Sequence, residues 1–177
     1  WRARFVPFEK VARECWIMYT DAMTKSPRLG AFLSSADGRT WAVRSNPDSS
    51  QARINELEAA AAVFGVAEFG DLLVGKTLLL FMDNTTCEAW LRDMMLPSGH
   101  RERLAKEFWS IIVEREIDVW ICGVESNLNL ADWVVRELRP DWFHERGTIW
   151  RKPTTDTSNL MNAASSPAEI PDGHRLK

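Results

Sequence analysis

The segment Thr77–Met82, TLLLFM, is an apolar run that leads straight into Asp83, and the residues behind it, NTTCEAWLRD, have the character of a helix. A buried strand that delivers a carboxylate and turns at once into a helix belongs to an α/β sheet, in which sites gather beyond the carboxyl ends of strands. A second apolar run, Cys15–Met23 (CWIMYTDAM), carries Asp21 near its own end. A charge in such surroundings is costly unless it is paired or bound to a metal. If the two strands are parallel neighbours, both aspartates emerge at one edge of the sheet.

The rest of the chain fits that frame. LGAFLSS and TWAVRS flank ADGR, and an Asp-Gly pair between apolar runs predicts a hairpin. A helix is expected next, capped by Ser49 or Ser50, with Ile54, Leu57, Ala61 and Phe64 on one face and Gly70 as its stop. RERLAKEFWSIIVERE and LNLADWVVREL read as helices, and IDVWICGV between them as a strand. This order predicts a mixed five-stranded sheet flanked by helices. The division is an N-terminal extension over 1–13, a domain over 14–150, and a tail or linker over 151–177, where Pro, Ser, Thr and Asn dominate without a period.

Composition narrows the function. The 177 residues suffice for one domain with its own core, and 45% are hydrophobic. A net charge of −3 excludes a bulk-basic nucleic-acid binder, so a phosphate backbone would need a local patch or metal ions. Cys15, Cys87 and Cys122 are odd in number, lack metal-ligand spacing and have apolar neighbours; they are expected to be buried, reduced thiols of a cytoplasmic or nuclear protein. No run has the length of a membrane span. The chain begins at Trp1, as expected of a piece of a longer protein. Of the nine tryptophans, Trp41, Trp90, Trp109, Trp120 and Trp133 are expected to pack between sheet and helices, while Trp142, Phe143 and Trp150 lie beyond the fold core and either fold back onto it or dock against a neighbouring polymerase domain.

Four acids could converge: Asp21, Asp83, Asp132 at the start of the last helix, and Glu58 in the helix between the first two. Several carboxylates with few bases nearby suit hard divalent cations. Two such ions about 3.5–4 Å apart can hold a phosphodiester and activate water. Taken singly, each acid has a plainer reading as a turn or helix-cap residue.

The joint pattern resembles the ribonuclease H fold. YTDAM is similar to the first-strand signature, INELEAAAA to the helix that carries the family's glutamate, and GKTLLLFMDNTTCEAWL to the strand and helix around its next aspartate. VESNLNLADWVVR resembles the last-helix motif Asn-x-Ala-Asp-x-x-Ser-Arg through Asn129, Ala131, Asp132 and Arg136, with Val135 in place of the serine. DNTT and this ending look most like ribonuclease H domains of retroelement reverse transcriptases, DIRS-type or gypsy-like. The resemblance covers about Cys15 to Leu138. It implies hydrolysis of the RNA strand of RNA–DNA hybrids during reverse transcription, leaving 5′ phosphates, with Asp21, Glu58, Asp83 and Asp132 holding two Mg²⁺ ions, for which Mn²⁺ substitutes. Glu56 is the alternative to Glu58; the spacing IN-x-LE favours Glu58. Asn84, Thr85, Asn129 and Arg136 are the implied substrate-binding residues, with helix capping the alternative for Asn84 and Thr85. The implied partners are the hybrid and an adjacent reverse transcriptase domain.

Two departures stand out. The first turn is altered, with Met23 in place of a small residue and TKSPRLG in place of a tight turn, and Val124–Leu128 contains no histidine. They support a second reading, a catalytically silent ribonuclease H-like scaffold that binds nucleic acid or a polymerase partner. The basic run His100, Arg101, Arg103 and Lys106 is interleaved with Glu102 and Glu107 and reads as a solvated helix face.

Overall fold

The computed structural model describes residues 14–48, 53–93 and 100–162. Strands β1 (Cys15–Met23), β2 (Arg28–Ser34) and β3 (Thr40–Ser45) form an antiparallel meander. The ADGR turn closes the β2–β3 hairpin with Gly38 at φ 86°, a conformation glycine adopts without strain. Helix α1 (Ile54–Leu73) returns the chain to β4 (Thr77–Met82), which pairs parallel with β1. Helices α2 (Thr85–Asp93) and α3 (His100–Glu114) lead to β5 (Asp118–Gly123), parallel to β4. A 3₁₀ turn at Ser126–Leu128, α4 (Leu130–Val135) and α5 (Asp141–Glu145) follow. A short strand β6 (Ile149–Arg151) and α6 (Thr157–Asn162) complete the described chain.

Among the described residues the sheet therefore has six strands, in the order β5-β4-β1-β2-β3-β6, where sequence pattern predicts five. The additional strand, β6, pairs parallel with Trp41–Val43 of β3. Three residues are too few to display a periodicity, so only the pairing reveals them. The segment assigned by composition to a tail also starts inside the fold. Glu68 of α1 is buried and accepts hydrogen bonds from the backbone N–H groups of Thr154 (2.8 Å) and Thr155 (2.5 Å). Arg151 forms a two-pronged pair with Asp71, 2.9 Å on each arm, and Leu160 and Met161 of α6 are buried in the main core. The expected N-terminal extension and residues 163–177 lie outside the described residues.

Helix α1 is the centre of the core. It packs on β1 and β2 on one side and on α3 on the other. Every residue from Leu57 to Val66 is buried, a helix apolar all round rather than on one face. The small side chains of Ala59–Ala62 and the bare Cα of Gly65 make this approach feasible: a Cβ on Gly65 would stand 3.1 Å from Ala31 Cβ, Met18 Sδ and Thr20 Cγ2. The helix runs past Gly70, where Arg115 crosses it, and stops before Gly75 at φ 68°. Its N-cap is Arg53; the expected caps Ser49 and Ser50 lie outside the described residues.

The opposite face of the sheet carries a second cluster of Phe32, Ala42, Val134 and Phe143, with Trp133, Trp142 and Trp150 against it. The aromatic residues after Leu138 thus fold back onto β2 and β3. Trp120 does the reverse of what its hydrophobicity predicts and is 62% exposed, because it lies on edge strand β5 and points away from the helices that bury Val119 and Ile121. All three cysteines are free, but Cys15 is exposed and Cys122 half-buried; only Cys87 meets the expectation of burial. Lys106 pairs with Glu102 at 2.5 Å and Arg103 donates to the Asn159 carbonyl oxygen, so this part of the basic run is engaged within the protein.

Candidate metal centre

The parallel register of β1 and β4 sets the site. Tyr19 pairs with Phe81, so Asp21 and Asp83 each stand two residues further along adjacent strands. Glu58 reaches the same edge from the second turn of α1. One carboxylate oxygen from each of Asp21, Glu58 and Asp83 lies within 4.8 Å of the others. Asp21 is 5% exposed and Glu58 5%, while Asp83 is half-buried.

Three carboxyl groups crowded together, two of them buried, resist ionising. Burial pushes the Asp21 carboxyl up to about 7, and the charges of Asp83 and Asp132 add to the shift. Burial likewise pushes Glu58 up to about 9, reinforced by Asp21 and Asp83. Among the described residues Glu58 Oε2 has no hydrogen-bond partner, nor has Thr20 Oγ1. A buried carboxylate oxygen left without a donor costs free energy, and a divalent cation would relieve both the orphaned oxygen and the mutual repulsion. The donors are all oxygens, the set that suits Mg²⁺ and Mn²⁺.

Of the two candidate glutamates, Glu58 joins the cluster. Glu56 points back to the helix start and accepts from the Arg53 backbone N–H at 3.2 Å. Asp132 opens α4 near enough for its charge to act on Asp21, yet it stands outside the three-acid cluster. Its Oδ1 is 2.5 Å from Arg136 Nε.

The implied substrate-binding residues fall into two groups. Asn129 is 1% exposed; its Nδ2 donates to the Thr20 carbonyl oxygen and its Oδ1 accepts from Ala131 N. Buried and bonded on both sides of its amide, it holds the start of α4 against β1. Asn84 caps α2 by accepting from Thr86 N and Cys87 N, both 3.1 Å, and donates to Asn55. Thr85 and Arg136 are exposed at this edge of the fold.

Sequence reasoning missed Gly30. It faces Asp21 across the β1–β2 ladder, and a Cβ there would lie 2.6 Å from Val135 Cγ1. Its missing side chain lets α4 settle on β2 and brings Asp132 to the site. A lone glycine in an apolar strand was the available sign of close approach.

No protein-family model and no curated protein matches the sequence. Solved structures do resemble it. The N-terminal RNase H domain of a Mycobacterium tuberculosis protein superposes with a TM-score of 0.59 at 14% identity, covering 76% of this chain and 99% of that one. RNase H1 of Halobacterium salinarum gives 0.55 at 17% identity, with 73% and 98% covered. The LC11 RNase H1, solved with an RNA/DNA hybrid, gives 0.58 at 17% identity, with 69% and 94% covered. At such identities the likeness concerns architecture, and with the sheet order and the helices on both faces it establishes that this chain has the ribonuclease H-like fold.

Proposed function

We propose that this chain is a divalent-metal-dependent endonuclease that hydrolyses the RNA strand of RNA–DNA hybrids. The observation that carries the reading is the meeting of Asp21, Glu58 and Asp83 within 4.8 Å at the strand ends of a ribonuclease H-like sheet, with Glu58 Oε2 unpartnered. Asp21, Glu58 and Asp83 would hold the first Mg²⁺ or Mn²⁺, and Asp132 would contribute to a second. Bound there, such ions supply Lewis acidity and a water nucleophile at neutral pH, which gives 5′-phosphate products. The protein's own part is to hold four acids in a fixed, partly dry array and to keep α4 seated through Asn129 and Gly30. Thr85 would touch the nucleic-acid backbone, a role its exposure at the start of α2 supports. DNTT and NLADWVVR support the finer assignment to a retroelement polyprotein with a reverse transcriptase domain alongside.

The test is cleavage of an end-labelled RNA–DNA hybrid in Mg²⁺ and in Mn²⁺. Single-stranded RNA, duplex RNA and duplex DNA are run in parallel, with Asp83→Asn as control. Hybrid-selective cutting that the substitution abolishes is the expected result. No cutting of any substrate, with no saturable effect of Mg²⁺ or Mn²⁺ on stability, would instead support the silent scaffold.

A further inference from the structure

Asp132 and Arg136 are one helical turn apart at the two ends of α4, and their side chains meet at 2.5 Å. Asp132 is the acid that stands outside the three-carboxylate cluster, although its charge is felt by Asp21. The guanidinium therefore occupies the cation position at the fourth carboxylate. Arg136 is also the C-cap residue of α4, with its backbone N–H on the Asp132 carbonyl oxygen, so the pair is fixed by the backbone as well as by charge. Its side chain is 58% exposed, against 27% for Asp132. An exposed pair of this type is weak and exchangeable.

We infer that Arg136 is a positioning residue that withholds Asp132 from a second metal ion, so that the site takes one ion tightly and the second weakly until an anion draws the guanidinium away. The inference rests on the metal-site reading above. Its physical content is competition. A divalent ion at Asp132 must displace the guanidinium or accept its positive charge as a neighbour, and both lower affinity. A phosphodiester placed at the site offers Arg136 another charge-assisted partner and frees Asp132. The first ion is unaffected by this competition, because Asp21, Glu58 and Asp83 meet without Asp132.

Mn²⁺ binding to the full chain, followed by electron paramagnetic resonance of the free ion and by calorimetry, tests this without any cleavage assay. The wild type is expected to show one tight and one weak site. Arg136→Gln is expected to tighten the weak site by about two- to fivefold, the scale of an exposed charge pair, and to leave the tight one unchanged. Arg136→Lys restores the weak affinity, which a merely structural role would not, and Asp132→Asn removes the second site. A second-site affinity unchanged or weakened in Arg136→Gln overturns the inference while leaving the metal centre standing. No saturable Mn²⁺ binding in the wild type overturns the metal-site reading itself and this inference with it.

Discussion

The Asn129 side-chain amide donates to the Thr20 carbonyl oxygen at 3.0 Å, across 109 residues of sequence and one residue before Asp21. Through that bond the start of α4, which carries Asp132, is tied to the strand that carries Asp21. Asn129→Ala removes this tie and the cap on Ala131 N, and leaves buried polar groups without partners. The expected cost is about 1–3 kcal/mol of stability. Hybrid cleavage should fall by more than the loss of folded protein accounts for, because α4 loosens. Thermal unfolding and cleavage at a temperature where the variant is fully folded check this together.

Gly30→Ala places a methyl group 2.6 Å from Val135 Cγ1 and 3.4 Å from Val135 N. Overpacking of this kind costs about 1–3 kcal/mol. The cleavage rate should drop at least as clearly as stability, since the atoms that must yield belong to α4. Adding Val135→Ala removes the obstructing methyl and should recover part of both losses. A double variant no better than the single one would show that the contact is not what matters.

Asp21 and Glu58 hold their protons up to about pH 7 and 9 in the fold, against ordinary carboxylate values in the unfolded chain. In the metal-free protein the folded state thus binds more protons than the unfolded state across this window, so stability falls as pH rises through it. In EDTA the melting temperature should be highest near the low end, about pH 5, and decline toward about pH 9. Mg²⁺ or Mn²⁺ should flatten the profile by replacing the protons. Glu58→Gln, which removes the cost of keeping that carboxyl protonated in the fold while it ionises in the unfolded chain, should raise the metal-free melting temperature at pH 8 and abolish stabilisation by metal. A melting temperature that is flat or rising from pH 5 to 9 in EDTA would falsify this account.

Asp83→Asn keeps the shape of a half-buried side chain and removes its charge. Hybrid cleavage should fall to background while circular dichroism and the metal-free melting temperature stay at or above wild type. Normal cleavage by this variant would remove Asp83 from the site.

Glu68 holds Thr154 and Thr155 by their backbone N–H groups. Glu68→Ala strands those donors and frees the path from β6 to α6, with an expected loss of about 1–3 kcal/mol. For a chain of this size that is roughly 2–4 °C of melting temperature per kcal/mol. Limited proteolysis should then cut between Arg151 and Thr157 well before it cuts the sheet.

The site was more legible than its supports. Asp21 and Asp83 stand out because charge at the end of an apolar strand is expensive, so one local window carries the message. The identity of the glutamate was open between Glu56 and Glu58, two positions apart. The docking of α1 on the sheet turns Glu58 toward the acidic cluster and Glu56 toward Arg53, which two positions of sequence do not reveal. Trp120 could not be placed from hydrophobicity, since a strand's two faces look alike until it is known that one of them lacks a helix.

Periodicity and the cost of buried charge act over a few residues, so the first five strands, the helices between them and the acids where strands give way to helices can be read from local windows. The sixth strand, the return of residues 151–162 to the core, the fit of Gly30 under Val135 and the pairing of Asp132 with Arg136 emerge only when the chain packs. The sixth strand, the returning segment and the Gly30 contact join positions far apart in the chain, and which of them meet depends on how the sheet closes. The Asp132–Arg136 spacing is visible in sequence, but whether that arginine takes the carboxylate or leaves it to the cluster depends on where α4 comes to rest.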